Sequence, residues 1–448
     1  MVKSLIARPR PESAFWHIRD SARTAMASLI PPDHPERGAL MAEVHARPVE
    51  IVPALCRVRR VVLVMPPEAG SMQRAFERFA AFRRAGGADI PQSGSRQYMF
   101  DSAQRSVTWE FHTEFVTITW RAPLLDAENW PDDIGLEAVA EGQVIGAVRI
   151  DVIEDSAIPA RMLDGFNPAS LCLADIENGK AQVATDFVPD AEMFTRLEFA
   201  AGGLTPMRRS ILLRRLLEVD TYRSMALLGL PLARAASPEL RTLETELSGV
   251  IDQLADTRSP GRAQDVLDAL HRLSARSGQM SERLGYRFAA GRAYGEVLRA
   301  RLGGLRESGT SLGSTLTHFI GNRVDPGLAT CTAIEQRLAV LSGKIERAIG
   351  LLNVRIGVDM QVQNAALLDN IARTARSQFL LQRTVEGLST IAISYYLLGI
   401  ISYAMAGPLA QLHWDKTMVL SIAAPFVVLI VWLMARAIRR AHEPHRQG

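Results

Sequence analysis

The spacing of apolar positions changes character along this chain of 448 residues. Up to Gly203 it is dominated by short runs rich in Val, Thr, Phe and Trp, with turn residues between them. These are 57–65 (closed by Pro66 and Pro67), 97–101, 105–110, 114–120, 145–153, 181–188 and 194–200. Such runs predict β-strands. Residues 71–84 differ, because Met72, Phe76, Phe79 and Phe82 recur at the spacing of one helical face. Helices and strands alternate too loosely for a doubly wound sheet, so a mixed sheet is expected.

Beyond Gly203 the strand signal ends. Helices are expected over 207–228, which Gly229–Pro231 stops, and over 237–254, opened by Ser237-Pro238-Glu239. Two more follow over 261–277 and 279–305. A break at 309–313 leads to a shorter helix near 315–323. From Leu328 no proline occurs until Pro408, and Ile334, Leu338, Leu341, Ile345, Ile349, Leu352 and Ile356 form a coiled-coil-like stripe. One helix over 328–405 would be ~117 Å long. It cannot bury that stripe alone, so neighbouring helices or other subunits must cover it.

No charged side chain lies between Glu386 and Asp415, nor between Lys416 and Arg436. Segments 387–405 and 417–435 each match the hydrocarbon core of a bilayer, ~20 apolar residues for ~30 Å. The expected fold is therefore α+β. A cytosolic domain with a mixed sheet (1–203) and a helical section (204–325) lead to a stalk helix (326–386). A transmembrane hairpin follows (387–405 and 417–435) around a short external loop (406–416), and then a basic tail (436–448).

Charge orients the hairpin. Arg373, Arg376 and Arg383 precede the first span, and Arg436, Arg439, Arg440 and Arg446 follow the second, while Asp415 and Lys416 cancel in the loop. The positive-inside rule puts both termini in the cytoplasm. Residues 1–17 hold no apolar core of the kind a secretory signal carries. Cys56, Cys172 and Cys331 lie far apart, which fits a reducing compartment and argues against a cysteine-rich zinc site. A net charge of +3 leaves no nucleic-acid footprint. The lipid bilayer is the expected partner, and the arginine-rich flanks fit anionic head groups.

Candidate chemistry is sparse. Gly309-Thr310-Ser311-Leu312-Gly313 fits a nucleophile elbow in letters, but an elbow needs a strand before it, and here helical stretches flank it; a helix connector is the reading. Glu43, His45 and Arg47 would share one face of an extended stretch, since Pro48 biases Arg47 towards β. Glu110, His112 and Glu114 would share one face of a strand. Carboxylate with imidazole can hold a divalent cation, the one cofactor these residues suggest, or move protons. The competing reading, an ordinary polar strand face tied by salt bridges, is favoured. No P-loop, G-x-G-x-x-G or H-E-x-x-H occurs, so no enzyme is expected. In the first span Glu386, Thr390, Ser394, Leu397 and Ile401 fall on one helical face, and Ser389, Tyr396 and Tyr403 on another; each fits either helix packing or a pore wall.

The order of elements over 205–448 resembles the CorA magnesium-channel family. Tyr403-Ala404-Met405-Ala406 stands where that family has tyrosine–glycine–methionine–asparagine, so tyrosine and methionine are kept while Ala404 and Ala406 depart. The resemblance implies a homo-oligomeric channel, pentameric, with a cytosolic regulatory domain and a pore wall of Thr390, Ser394, Leu397, Ile401, Met405 and Ala406. The long stripe would stabilise the assembly. An Ala406 ring has no hydrogen-bonding side chain to meet hydrated magnesium. The Glu43–Pro48 and Trp109–Phe115 motifs and 216–234 (LLEVDTYRSMALLGLPLAR) resemble an uncharacterised bacterial family of membrane-anchored proteins, known as a domain of unknown function. That resemblance covers nearly the whole chain and implies an inner-membrane location without an activity. It leaves open a non-conducting scaffold or signalling protein on the same frame.

Overall fold

β1 (Cys56–Val64) organises the fold, because its run of Val and Leu is buried on both faces. A strand buried on both sides must sit in the middle of a covered sheet. In the computed structural model, which describes residues 33–45, 48–91, 94–256, 260–406 and 415–442, β1 does so. Around it lie β2 (Gln97–Ser102), β3 (Arg105–Phe111), β4 (Phe115–Ala122), β5 (Gln143–Ile153), β6 (Cys172–Ile176), β7 (Ala181–Pro189), β8 (Thr195–Ala200) and β9 (Ser308–Gly309). These nine strands among the described residues form one sheet in the order β2-β3-β4-β1-β5-β8-β7-β6-β9. Only β5 and β8 run parallel among these pairs, so the sheet is mixed, as the loose alternation implies.

β6 and β9 escape the sequence pattern. β6 is five residues long, too short to show a period. Its place comes from the hairpin to β7, where Glu177, Asn178 and Gly179 all take positive φ. β9 is a two-residue edge pairing inside the glycine-rich connector.

Two layers cover the sheet. On one face α2 (Ser71–Ala85) lays Phe79 and Phe76 against Val61, Leu63, Trp109, Ile118 and Trp120. Phe79 stacks on Trp109 at 4.2 Å. The connection passes so close that a side chain at Gly135 would meet the Phe82 ring at 2.9 Å, and its φ of +83° independently asks for glycine. On the other face α3 (Pro206–Leu227) packs Leu212, Leu213, Leu216 and Leu217 on Val58, Val148 and Ile150. Thr205 caps it, its hydroxyl accepting from the Arg208 amide, with Pro206 next to it.

The helices that follow are longer than the sequence suggests. Pro238 does not start a helix; it lies inside α4 (Leu230–Asp256). The two segments expected over 261–305 are one helix, α5 (Pro260–Gly303). The expected break before Leu328 is absent too, and α6 runs from Leu316 to Ala404 through Pro326. The physical reason is shared. Ala233, Ala236, Leu240 and Leu243 bury one face across Pro238, and Ile320, Val324, Leu328 and Cys331 do so across Pro326. An interior proline costs about 3 kcal/mol, which a few buried aliphatic side chains outweigh. Gly327 beside it has Leu227 within 2.8 Å of where a Cβ would be.

The described chain divides into two compact units. One holds the sheet, with residues to Leu247 and Leu273–Gly343; the other holds Ser248–Arg272 and Lys344 onward. Within the second, Ile345 and Leu352 are fully buried together with Val266 and Leu270, and Arg355 donates to the Leu254 carbonyl at 3.1 Å. In the first, Ile334, Leu338 and Leu341 are likewise buried. These five positions of the stripe are thus covered within their own chain, while Ile349 and Ile356 are half-buried. Past Leu352 the picture inverts: Val358, Val362, Leu368, Ile371, Phe379 and Val385 are all more than half exposed.

α7 (Lys416–His442) closes the described chain. It and the end of α6 are long and apolar enough to cross a membrane, and only 6% and 11% of their apolar windows are buried. The core helix of a soluble body would be mostly buried. Residues 407–414 of the expected external loop, and 443–448 of the tail, lie outside the described residues.

Candidate functional site

β3, β4 and β1 put a patch of polar residues on the sheet face beneath α3. Alternation dictates which ones: Val107, Trp109 and Phe111 face the aromatic core, so Ser106, Thr108 and Glu110 face α3. Across the ladder, Glu110 pairs with Thr117, and Arg60 with Thr119. Arg60 donates Nε to Thr119 at 2.7 Å and Nη2 to Glu110 at 3.2 Å. Thr117 donates to the same Glu110 oxygen at 3.1 Å, and Arg214 of α3 donates to the other at 3.4 Å. Burial pushes the Glu110 carboxyl up, but Arg60, Arg214, His112 and the Thr117 hydroxyl outweigh it and hold it below its usual range. Beside this group Glu50 accepts from Ser106 at 2.9 Å and from Arg121 at 2.8 Å.

The strand period that would align Glu110, His112 and Glu114 stops at Phe111. Residues 112–114 form the β3–β4 hairpin turn, closed by the His112 amide donating to the Phe115 carbonyl at 3.0 Å. The three side chains therefore diverge. His112 stacks flat on Phe115, centroids 4.1 Å apart. Glu114 turns to the helices and accepts from Arg287 at 2.6 and 3.1 Å and from the Tyr294 hydroxyl at 2.7 Å. Burial and this bond push the Tyr294 phenol well above its usual value.

The other triplet also needs correcting. Glu43 and His45 belong to a helix, α1 (Arg37–His45), not to an extended stretch; Arg47 lies outside the described residues. The strand alternation that would align the two positions therefore does not apply. Tertiary structure does join one member of each triplet: Glu43 and His112 line one hollow with Arg96, Thr113, Tyr222 and Tyr294. Arg96 pairs with Glu43 at 3.4 Å. The three motifs that carry the family resemblance thus meet here, since Tyr222 comes from 216–234. Among the described residues no three His, Cys, Asp or Glu side chains gather as a metal site would require. Carboxylates held ionised by guanidiniums, as Glu110 is, also make poor proton acceptors.

Residues the sequence reading passed over form a charged ladder on the opposite sheet face. Arg57 grips Asp151 with two bonds, at 2.6 and 2.8 Å, and Arg196 donates to Glu198 at 2.9 Å. Arg59, fully buried, donates to Asn129 at 2.7 Å. The only sequence signal was a pair of arginines in an otherwise apolar strand, Arg57 and Arg59.

In the first apolar helix Thr390 and Ser394 donate to carbonyls of their own helix, at 2.9 and 2.7 Å. Ser394 is buried, and Thr390 and Leu397 line one groove with Val431, Trp432 and Met434 of α7. Ile401 is half-buried, whereas Met405 and Ala406 are exposed.

A mixed-sheet body, long helices and two helices of membrane-spanning length and apolarity define the class of protein. The chain belongs to the family described as "Protein of unknown function (DUF3422)", whose model matches residues 32–442. No curated protein and no solved structure matches it.

Proposed function

We propose that this is a bacterial inner-membrane protein, anchored by the 387–405 and 417–435 hairpin with both termini in the cytoplasm. It works as a homo-oligomeric scaffold or signalling protein whose body binds rather than catalyses. One observation carries the reading: apolar windows of spanning length with almost none of their residues buried. Arginines on both outer flanks support the orientation, and three buried free thiols suit a reducing cytosol. The exposed apolar residues from Val358 to Val385 support assembly, since a second copy supplies an equivalent surface. A cysteine placed at Gln411 should react with an impermeant thiol reagent on whole cells, and one at Gly448 should not. Labelling of Gly448 would reverse the orientation, and labelling of neither in intact cells but both after lysis would remove the hairpin.

A second reading is a CorA-like cation channel, favoured by a helix that runs unbroken from Leu316 into the first apolar window. Five copies, by resemblance, would ring a pore walled by Thr390, Ser394, Leu397 and Ile401. Against it, the polar members of that wall bond their own backbone and Ser394 is buried in a single chain.

A further inference from the structure

The groove between α6 and α7, of about 820 Å³, changes polarity along its length. On the α6 side Arg383 and Glu386 line one end, Ser389 and Thr390 follow, and Ile393 and Leu397 lie deepest. Val431, Trp432 and Met434 of α7 form the other side. Ser389 to Leu397 spans roughly 12 Å of helix, close to one half of a ~30 Å hydrocarbon core. The groove thus runs through the depth of one leaflet in the order charge, hydroxyl, hydrocarbon. Its charged end is positive. Glu386 is the only carboxylate in residues 370–414, and residues 416–442 hold none. Glu386 accepts from the Gln382 amide at 3.3 Å. Arg436 lies over the Trp432 ring, 5.1 Å from its centroid. Neither Arg383 nor Arg436 pairs with a carboxylate among the described residues.

We propose that this groove binds one anionic phospholipid of the cytoplasmic leaflet, its phosphodiester at Arg383 and Arg436 and one acyl chain along Ile393 and Leu397. The inference rests on the membrane reading. Guanidinium N–H groups are matched to phosphate oxygens. The exposed Ser389 hydroxyl stands between the charged and apolar parts, where the ester carbonyls of a lipid lie. Trp432 occupies the interfacial level at which tryptophan is enriched. Two arginines against one glutamate favour a lipid without an ammonium over a zwitterionic one. An apolar helix from a second copy would instead desolvate both guanidiniums and supply no counter-charge.

The test uses the full chain carrying Trp414→Phe, which leaves Trp432 as the only tryptophan within or beside the two spans. It is reconstituted in phosphatidylcholine vesicles with equal small fractions of phosphatidylglycerol or phosphatidylethanolamine, each brominated on its acyl chains, since bromine quenches a tryptophan it touches. Phosphatidylglycerol should quench with an apparent affinity at least about fivefold higher, the effect of one arginine at an anionic surface. Arg383→Gln with Arg436→Gln should abolish that preference. Gly387 lines the groove, and a Cβ there meets nothing within 4 Å. Gly387→Leu therefore fills the groove while keeping both arginines, and should abolish the preference as well. Equal quenching by the two lipids would overturn the proposal and leave the membrane reading standing. So would a preference that survives either change, because general surface attraction would then explain it. A chain that does not float with the vesicles would remove the membrane reading and this inference together.

Discussion

Two buried glutamates on opposite faces of the sheet show how far environment sets a side chain's state. Glu110 meets two arginines and a threonine hydroxyl and stays ionised. Glu198 accepts a hydrogen bond from Arg196 and faces Asp151 across the ladder. Burial, then Asp151, push its carboxyl up from 4.5 to about 7. The folded chain therefore keeps a proton between those values that the unfolded chain has released. This contribution to stability is fully present below pH 4.5 and is lost as pH rises through about 7. Its size is on the order of 3 kcal/mol. Glu198→Gln keeps the shape and cannot titrate, so its melting temperature should stay level from about pH 5 to about pH 8, where the native chain declines. Thermal melts across that range check it; equal slopes in both proteins would mean that Glu198 is ionised throughout. Neither glutamate's state could be read along the chain, because the deciding partners are distant: Arg60 and Arg214 for one, Asp151 for the other.

Among the elements α6 carries the sharpest contrast. Its apolar positions have one spacing throughout, yet Ile345 and Leu352 are fully buried while Val358 and Val362 stand exposed. The same 3.6 period serves both, so periodicity announces an apolar face without naming what covers it. Ile345→Asp puts an unpaired charge into a sealed core and should lower the melting point steeply, at a cost of several kcal/mol. Val358→Asp with Val362→Asp should leave helix content and melting intact, since both side chains are exposed in the single chain, but reduce the sedimentation coefficient in detergent if the proposed assembly uses this face. An unchanged sedimentation profile would take the stalk out of the interface. The strands tell a similar story. β1 to β5, β7 and β8 are legible because alternation or a run rich in β-branched and aromatic residues marks them. β6 and β9 exist only through their partners, and the prolines at 238 and 326 mislead because local propensity yields to burial on either side.

At the scale of the whole molecule the two functional readings part on one measurement. Reconstituted in liposomes, an anchored scaffold passes no divalent cations above the lipid background. A channel passes them, and Leu397→Ser should then raise the leak by wetting an apolar ring. A mixed sheet, long helices and two charge-free segments were determined by the sequence alone, because each rests on local composition: β-branched runs, a helical period, and stretches without a charge long enough for a bilayer. Tertiary structure alone decided what those elements enclose. It turned Glu110, His112 and Glu114 in three directions by ending a strand at Phe111. It brought Glu43 beside His112, and gathered Arg60, Arg121 and Arg214 around one hollow. Each of these depends on residues far apart in the chain meeting across a ladder or under a helix. No local period encodes such a meeting, since the energy that selects it belongs to the packed whole.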